Sequence, residues 1–262
     1  MTGLLERIGA KLLHISAVMG GFVLLIRSTF FWIFRSRLEW RQTLIQMAKI
    51  GADSLPVTVM TSFFTGMVLA LQTGISSQRL FNEPLFVGTV VSFAMVMELS
   101  PVLTALVVAG RAGAAIAAEL GTMRVTEQVD ALLTLGTDPV RYLVIPRFLA
   151  FMLVLPLLTV LSDFSGSVGG LFVAVMRFGI PDNTYWHDII DFMETKHFYH
   201  GFIKSAVFAF AISFICAYKG LSTSGGAEGV GRSTTGAVVS SMVAVLLLDY
   251  FASSVLVAMG IP

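Results

Sequence analysis

The sequence predicts an all-α integral membrane protein, and three observations carry that prediction. Hydrophobic residues make up 56% of the chain and charged residues only 13%, about half the charged share of an ordinary soluble domain. Apolar stretches at 52–75, 85–110, 143–176, 201–218 and 236–259 are long enough, or nearly so, for the roughly 20-residue helix that crosses a bilayer. The Lys and Arg residues between them fall mostly on one side. The simplest organisation of 1–262 is a single membrane domain. In it, 1–50 form N-terminal interfacial and connecting helices and 51–262 the transmembrane bundle.

Taken in order, 12–34 is apolar but interrupted by His14 and Arg27. It suits a helix lying in the interface as well as one crossing it. The N-terminus, with Arg7 and Lys11 before an apolar run, lacks a small-x-small cleavage site and reads as retained. Arg35, Arg37 and Arg41 lead into the first span. With about five spans, loops 76–84 and 178–200 lie on one side and 111–142 and 219–235 on the other. Only Arg79, Arg177, Lys196 and Lys204 of the 17 Lys and Arg fall on the first side. The positive-inside rule therefore makes that side external and the N-terminus cytoplasmic.

Small residues recur every fourth position at Gly66/Ala70/Gly74, Gly110/Ala114/Ala118 and Ser162/Gly166/Gly170/Ala174. Such stripes let helix backbones approach closely in lipid, either within one bundle or across a homodimer seam.

Three acids lie within the apolar stretches. Glu98 is 13 residues from both Leu85 and Arg111, about 20 Å from either end of a helix. Asp163 and Asp249 are similarly deep. An acid at that depth costs about 3 kcal/mol on insertion scales, so it faces a cavity or a partner, or it is protonated. Pro101, three residues after Glu98, removes a backbone hydrogen bond and predicts an opened or kinked helix beside the acid. No basic residue is expected at the same depth, so a midplane ion pair is not. Lys219 and Arg232, at the inner ends of the last two spans, read as interfacial anchors or as contacts to phosphate head groups.

The polar insert between the second and third spans carries its own helical pattern. Val125, Val129, Leu132 and Leu133 share one face over 122–135, and Arg124, Glu127, Gln128 and Asp130 occupy the rest. Gly121 is expected to break the helix before it and Gly136 to end it. Asp138-Pro139 supplies an N-cap and a first-turn proline for the next span. Marked ends on a short amphipathic helix suit an element through which a cytoplasmic partner moves the membrane helices.

Other chemistry finds little support. The net charge of +1 and the lack of a basic stripe argue against nucleic acid. The single cysteine, Cys216, forms no intrachain disulfide or cysteine metal cluster. His187, Asp191, Glu194 and His197 have spacings that align on one helix, but the aromatic residues among them fit a membrane-interface helix better than a metal site. There is no G-x-S-x-G, no H-E-x-x-H and no G-x-x-x-x-G-K-[ST]. The chain therefore reads as non-enzymatic, with any ATPase a separate subunit.

The segments FFTGMVLALQ (63–72), ELSPVLTALVVAGRAGAAIAAEL, GTMRVTEQVDAL and TDPVRYLVIPR (within 98–147) resemble the MlaE/YrbE permease family. GVGRSTTGAVVSS and LLLDY at 229–250 follow collinearly. These are membrane subunits of lipid ABC transporters that work with MCE-domain proteins. The resemblance implies a homodimeric, multi-pass permease of the bacterial inner membrane, with five spans per subunit and an N-terminal interfacial helix. It implies two copies of a cytoplasmic ATPase, which would hold ATP and magnesium, a periplasmic ring of MCE-domain protein, and phospholipid as the substrate moved between inner and outer membranes. This chain itself is expected to bind no cofactor. The family's coupling helix falls on 122–135, with Arg124, Glu127, Gln128 and Asp130 as its contacts. Its lipid cavity falls on Leu69, Met97, Glu98, Leu99 and Pro101, with Arg232 as a further lipid contact. The sequence departs from the family's ELGP at Ser100, and Met97 stands where some members carry a basic residue. A secondary transporter driven by protons through Glu98, Asp163 and Asp249 is the alternative, although no internal repeat accompanies it.

Overall fold

The computed structural model describes residues 2–35, 38–83 and 86–260; Arg37 and Leu85 lie outside them. Every regular element among the described residues is helical, in the order α1 (Thr2–Arg35), α2 (Trp40–Phe81), α3 (Val87–Ala94), α4 (Ser100–Val108), α5 (Ala114–Val125), α6 (Gln128–Thr134), α7 (Ile145–Phe178), α8 (Asp182–Phe192), α9 (Thr195–Leu221) and α10 (Gly226–Ala258). Wider π-helical turns at Met95–Leu99 and Ala109–Gly113 join α3, α4 and α5 into one rod, and a third at Val140–Val144 leads into α7. Six helical segments are long and apolar enough to cross a membrane. They are the five apolar runs and Ser16–Arg35 of α1. That segment packs on α9 and on the turn before α7, and Trp32 Nε1 donates to Asp138 Oδ2 at 2.9 Å.

The bundle is built around α7 and α9, with α1 and α10 towards the rim. Near the end that carries α6, Phe148 of α7 packs on Phe210 and Phe214 of α9, with ring centroids 6.0 and 5.0 Å apart.

Helices α2 and α7 run parallel, and a glycine on each meets the backbone of the other. A Cβ on Gly66 would lie 1.9 Å from the Gly166 carbonyl oxygen, and one on Gly169 would lie 2.1 Å from that of Phe63. Only glycine permits this approach, which brings Ser62 and Ser162 into a hydroxyl–hydroxyl hydrogen bond. It also lets Ser165 donate to the Val59 carbonyl at 2.8 Å. The stripes that contain Gly66 and Gly166 are therefore used inside the chain.

Three local expectations need correction. Gly121 does not break a helix: α5 runs through it to Val125. Its missing side chain instead makes room for Thr223, whose Oγ1 would sit 3.0 Å from a Cβ there. Leu133 does not join the inward face with Val129 and Leu132 but is exposed, because the chain turns at Glu127 and rotates the later residues. His187 and Asp191 lie on α8, whereas Glu194 caps α9 and His197 belongs to it. The four do not share a helix. His197 Nδ1 instead accepts the Glu194 backbone N–H at 3.0 Å.

Candidate functional site

The site is assembled from a backbone defect and the one side chain able to answer it. In an α-helix the N–H of residue 101 would bond to the carbonyl of residue 97, but residue 101 is proline. The chain widens into the π-turn Met95–Leu99, with Ser100 N–H reaching the Met95 carbonyl, and the Met97 carbonyl is left without its helical donor. Lys204 of α9 supplies one: its Nζ donates to Met97 O at 3.2 Å. Lys204 reaches this point because α9 comes very close to the turn at Gly201, where a Cβ would lie 2.2 Å from the Val96 carbonyl oxygen.

The same ammonium lies 2.6 Å from Glu98 Oε2 and 2.6 Å from Asp249 Oδ1 of α10. It also donates to Ser253 Oγ at 2.9 Å, and Ser253 in turn donates to Glu98 Oε1 at 3.1 Å. An ammonium has three protons. Glu98, Ser253 and Met97 take them, so the Asp249 oxygen is held by charge without an aligned hydrogen bond, in keeping with its place among the buried oxygens that lack one. The Lys204 side chain is 0% exposed, Asp249 24% and Glu98 46%. Two carboxylates thus share one enclosed cation, and Glu98 turns an open edge outward.

The triad overturns the expectation that no basic residue lies deep enough to pair with Glu98. The sequence places Lys204 among the external charges because the apolar run begins at Gly201. The helix starts at Thr195 instead, which puts Lys204 nine residues in, about 14 Å along it. Asp249, nine residues before the end of α10, lies at the matching depth. The signal available in the sequence was the carbonyl orphaned by Pro101.

Around the triad, Met97 is half-buried and Pro101 is buried, with its Cγ 3.4 Å from the position of a Gly201 Cβ. Leu69 and Leu99 pack together on a small apolar cluster of Ala70, Val87, Val91 and Met95. The structure therefore gathers Leu69, Met97, Glu98, Leu99 and Pro101 at one level. Arg232 is not part of this group. It lies 17 residues from Asp249, about 25 Å down α10, where it pairs with Glu228 at 3.1 Å and lines a cavity of about 490 Å³ with Tyr218, Lys219 and Ser222.

At the opposite end, the insert is a corner rather than one helix over 122–135. Helix α5 stops at Val125, Glu127 adopts a left-handed backbone (φ 59°, ψ 12°), and α6 begins at Gln128. A non-glycine residue in that region costs about 1–2 kcal/mol. The corner is held by Arg124, whose guanidinium contacts Asp130 at 2.5 Å, and by Val129, which is buried in the core. Gly136 (φ 73°) ends α6, and Asp138 Oδ1 accepts the Val140 N–H at 2.8 Å. Glu127, Gln128, Leu133 and Leu135 face outward.

Residues 43–255 match the family described as Permease MlaE. The chain belongs to the MlaE permease family. It is 42% identical to a probable ABC transporter permease protein of Rickettsia bellii, over 93% of both chains. A probable ABC transporter permease protein of Synechocystis is also 42% identical, over 86% of this chain and 85% of its own. The chloroplastic protein trigalactosyldiacylglycerol 1 of Arabidopsis thaliana is 41% identical over 85% of this chain and 63% of its own. The matched region takes in the triad and the corner, so both belong to the body of an MlaE-type permease. The protein is a multi-pass membrane permease subunit.

Proposed function

We propose that this permease subunit moves phospholipid between the inner and outer membranes of a bacterial envelope, powered by a separate ATPase. The observation that carries the reading is the half-exposed Glu98 carboxylate, bonded to an enclosed Lys204 at an unwound turn in an otherwise apolar wall. A buried ion pair with one open edge suits a ligand that brings both charge and hydrocarbon, because two carboxylates on one ammonium leave Glu98 able to accept from a head group while the apolar surroundings take the chains. One relative bears the name of a diacylglycerol glycolipid, which supports a lipid substrate class.

In this reading the chain forms a homodimer in the inner membrane with its N-terminus cytoplasmic. Two ATPase subunits dock on the corner formed by Arg124, Glu127, Gln128 and Asp130, with the exposed Leu133 and Leu135 beside it. They hold the ATP and magnesium; this chain binds no cofactor. A ring of MCE-domain protein receives or delivers lipid at the α8 end, and Arg232 contacts lipid at the α6 end. The wall of the lipid cavity comprises Leu69, Met97, Glu98, Leu99 and Pro101.

The test is site-specific photocrosslinking of lipid at Met97 or Leu99 in the complex with its native partners. Lipid adducts that fall several-fold in Glu98→Ala support the reading; unchanged adducts and unchanged transport make the acid structural. The same two carboxylates and a lysine are also what a proton-coupled carrier would use. Lipid movement by the permease alone, driven by a pH gradient, would select that alternative.

A further inference from the structure

A second polar cavity lies between α2 and α5, away from the triad. It measures about 200 Å³ and is lined by Gln46, Lys49, Asp53, Arg111 and Glu119, with Ile50, Ala112, Ala115 and Ile116 as its apolar wall. Arg111 is 13 residues from Glu98, about 20 Å along the rod. Asp53 and Arg111 mark the level at which the apolar runs of α2 and of the α3–α5 rod end, so the cavity sits at the height of lipid head groups rather than of their chains.

Two cations and two carboxylates line the cavity, and Arg147 behind its wall brings the local balance to three cations against two carboxylates. Arg111 is engaged by its own neighbours: its guanidinium contacts Asp53 at 3.4 Å, Ser54 Oγ at 3.0 Å and the Lys49 carbonyl at 2.7 Å. Glu119 is held from behind by Arg147 at 3.2 Å. That leaves the Lys49 ammonium, exposed and without an ion pair among the described residues. It also leaves Gln46, a residue 93% buried, which lines the cavity and makes no side-chain hydrogen bond among the described residues. An amide that lines a cavity offers two donors and an acceptor to whatever occupies it, so the cavity suits a polar guest. A free ammonium beside the amide asks for an anion, and two engaged ion pairs behind them fix the walls.

We propose that this cleft binds the phosphate of a phospholipid from the leaflet at the α6 end, with Lys49 and Gln46 as its direct ligands and Arg111 as the positioning residue that holds the cleft open. A cavity of this size takes a head group and leaves the chains outside. They would run along α2, where Leu55 and Val57 are exposed to the surrounding hydrocarbon. The bound lipid would wedge α2 against α5, the helix that ends at Arg124. The proposal needs only a membrane around the protein and does not depend on the transport reading.

The full-length protein is reconstituted in phosphatidylcholine nanodiscs doped with phosphatidylglycerol carrying a photoreactive group beside its phosphate, and adducts are mapped by mass spectrometry. Adducts on the 46–53 and 111–119 peptides are expected. A Gln46→Leu/Lys49→Gln double variant should reduce them by about thirtyfold or more, as loss of a charge-assisted and a neutral hydrogen bond would, and Lys49→Arg should retain them. The melting transition of each variant in detergent reports correct folding, and because no ATPase is present, failure of transport does not affect the readout. Wild-type protein without adducts in the cleft, or a double variant that keeps them, overturns the proposal. Loss of the adducts on adding millimolar inorganic phosphate, at constant ionic strength, would overturn the lipid assignment and make the site one for free phosphate.

Discussion

The triad and the α5–α6 corner both hold charges together, yet they do so under opposite conditions. At the triad, a cation with no exposed surface serves two carboxylates, a serine and a backbone carbonyl. At the corner, Arg124 and Asp130 pair with side chains 39% and 52% exposed. Breaking a buried pair leaves an uncompensated charge and costs about 3–5 kcal/mol, whereas an exposed pair contributes roughly 0–1 kcal/mol. The first arrangement therefore fixes where the π-turn before α4 meets α9 and α10. The second leaves a surface free to exchange its internal pair for a partner's charges.

The largest effect is expected from Lys204→Met, which strands Glu98 and Asp249 together. It should lower stability by about 3–5 kcal/mol, read as a lost or strongly lowered melting transition in detergent. The triple variant Glu98→Gln/Lys204→Met/Asp249→Asn should recover most of that loss. If the single variant melts like the wild type, the triad does not hold the three helices. Next comes Gly201→Ala, whose methyl would meet the Val96 carbonyl. It should cost about 1–3 kcal/mol through overpacking and, by pushing α9 away, reduce lipid crosslinking at Met97.

Pro101→Ala restores the N–H that competes for the Met97 carbonyl. It should leave the melting temperature within about 1 kcal/mol equivalents of wild type while changing the crosslinking pattern around Glu98; an unchanged pattern would show that the widened turn is not made by the proline. The smallest stability effects belong to the corner. Glu127→Gly should stabilise by up to about 1 kcal/mol by relieving the left-handed backbone, and Arg124→Ala should cost at most about 1 kcal/mol. Both are nevertheless expected to uncouple ATP hydrolysis from transport in the reconstituted complex. A large stability loss at Arg124 would erase the contrast between the two regions.

The sequence made much of the fold legible, because apolar run length is a direct readout of bilayer thickness. It also marked Glu98 and Pro101 as unusual together. It did not show Lys204 as their partner: Lys196, His197 and Tyr199 are polar or amphipathic, and the helical state of this turn depends on the capping of Glu194 by His197, not on hydrophobicity. The corner was legible as a polar insert with marked ends, but not as a corner. Nothing in the residue type of Glu127 announces a positive φ, and Gly121, the residue that looked like a breaker, is a packing contact. Gln46 and Lys49 lie in the first turns of α2, ahead of its apolar run, where local patterning does not reveal a cleft completed by residues about 65 positions later.

The glycine contact between α2 and α7 has a mechanical consequence. With backbone oxygens at the positions where Cβ atoms would sit, neither helix can roll or slide past the other without a clash, so the two behave as one stiff strut. Any change of shape that opens the bundle must occur elsewhere, and the rod beside the strut offers hinges in its wide π-turns at Met95–Leu99 and Ala109–Gly113. The upper hinge carries Glu98 and the lower one carries Arg111. A push on the corner at Arg124 would therefore travel up a segmented lever whose two joints are the places where charge meets the membrane.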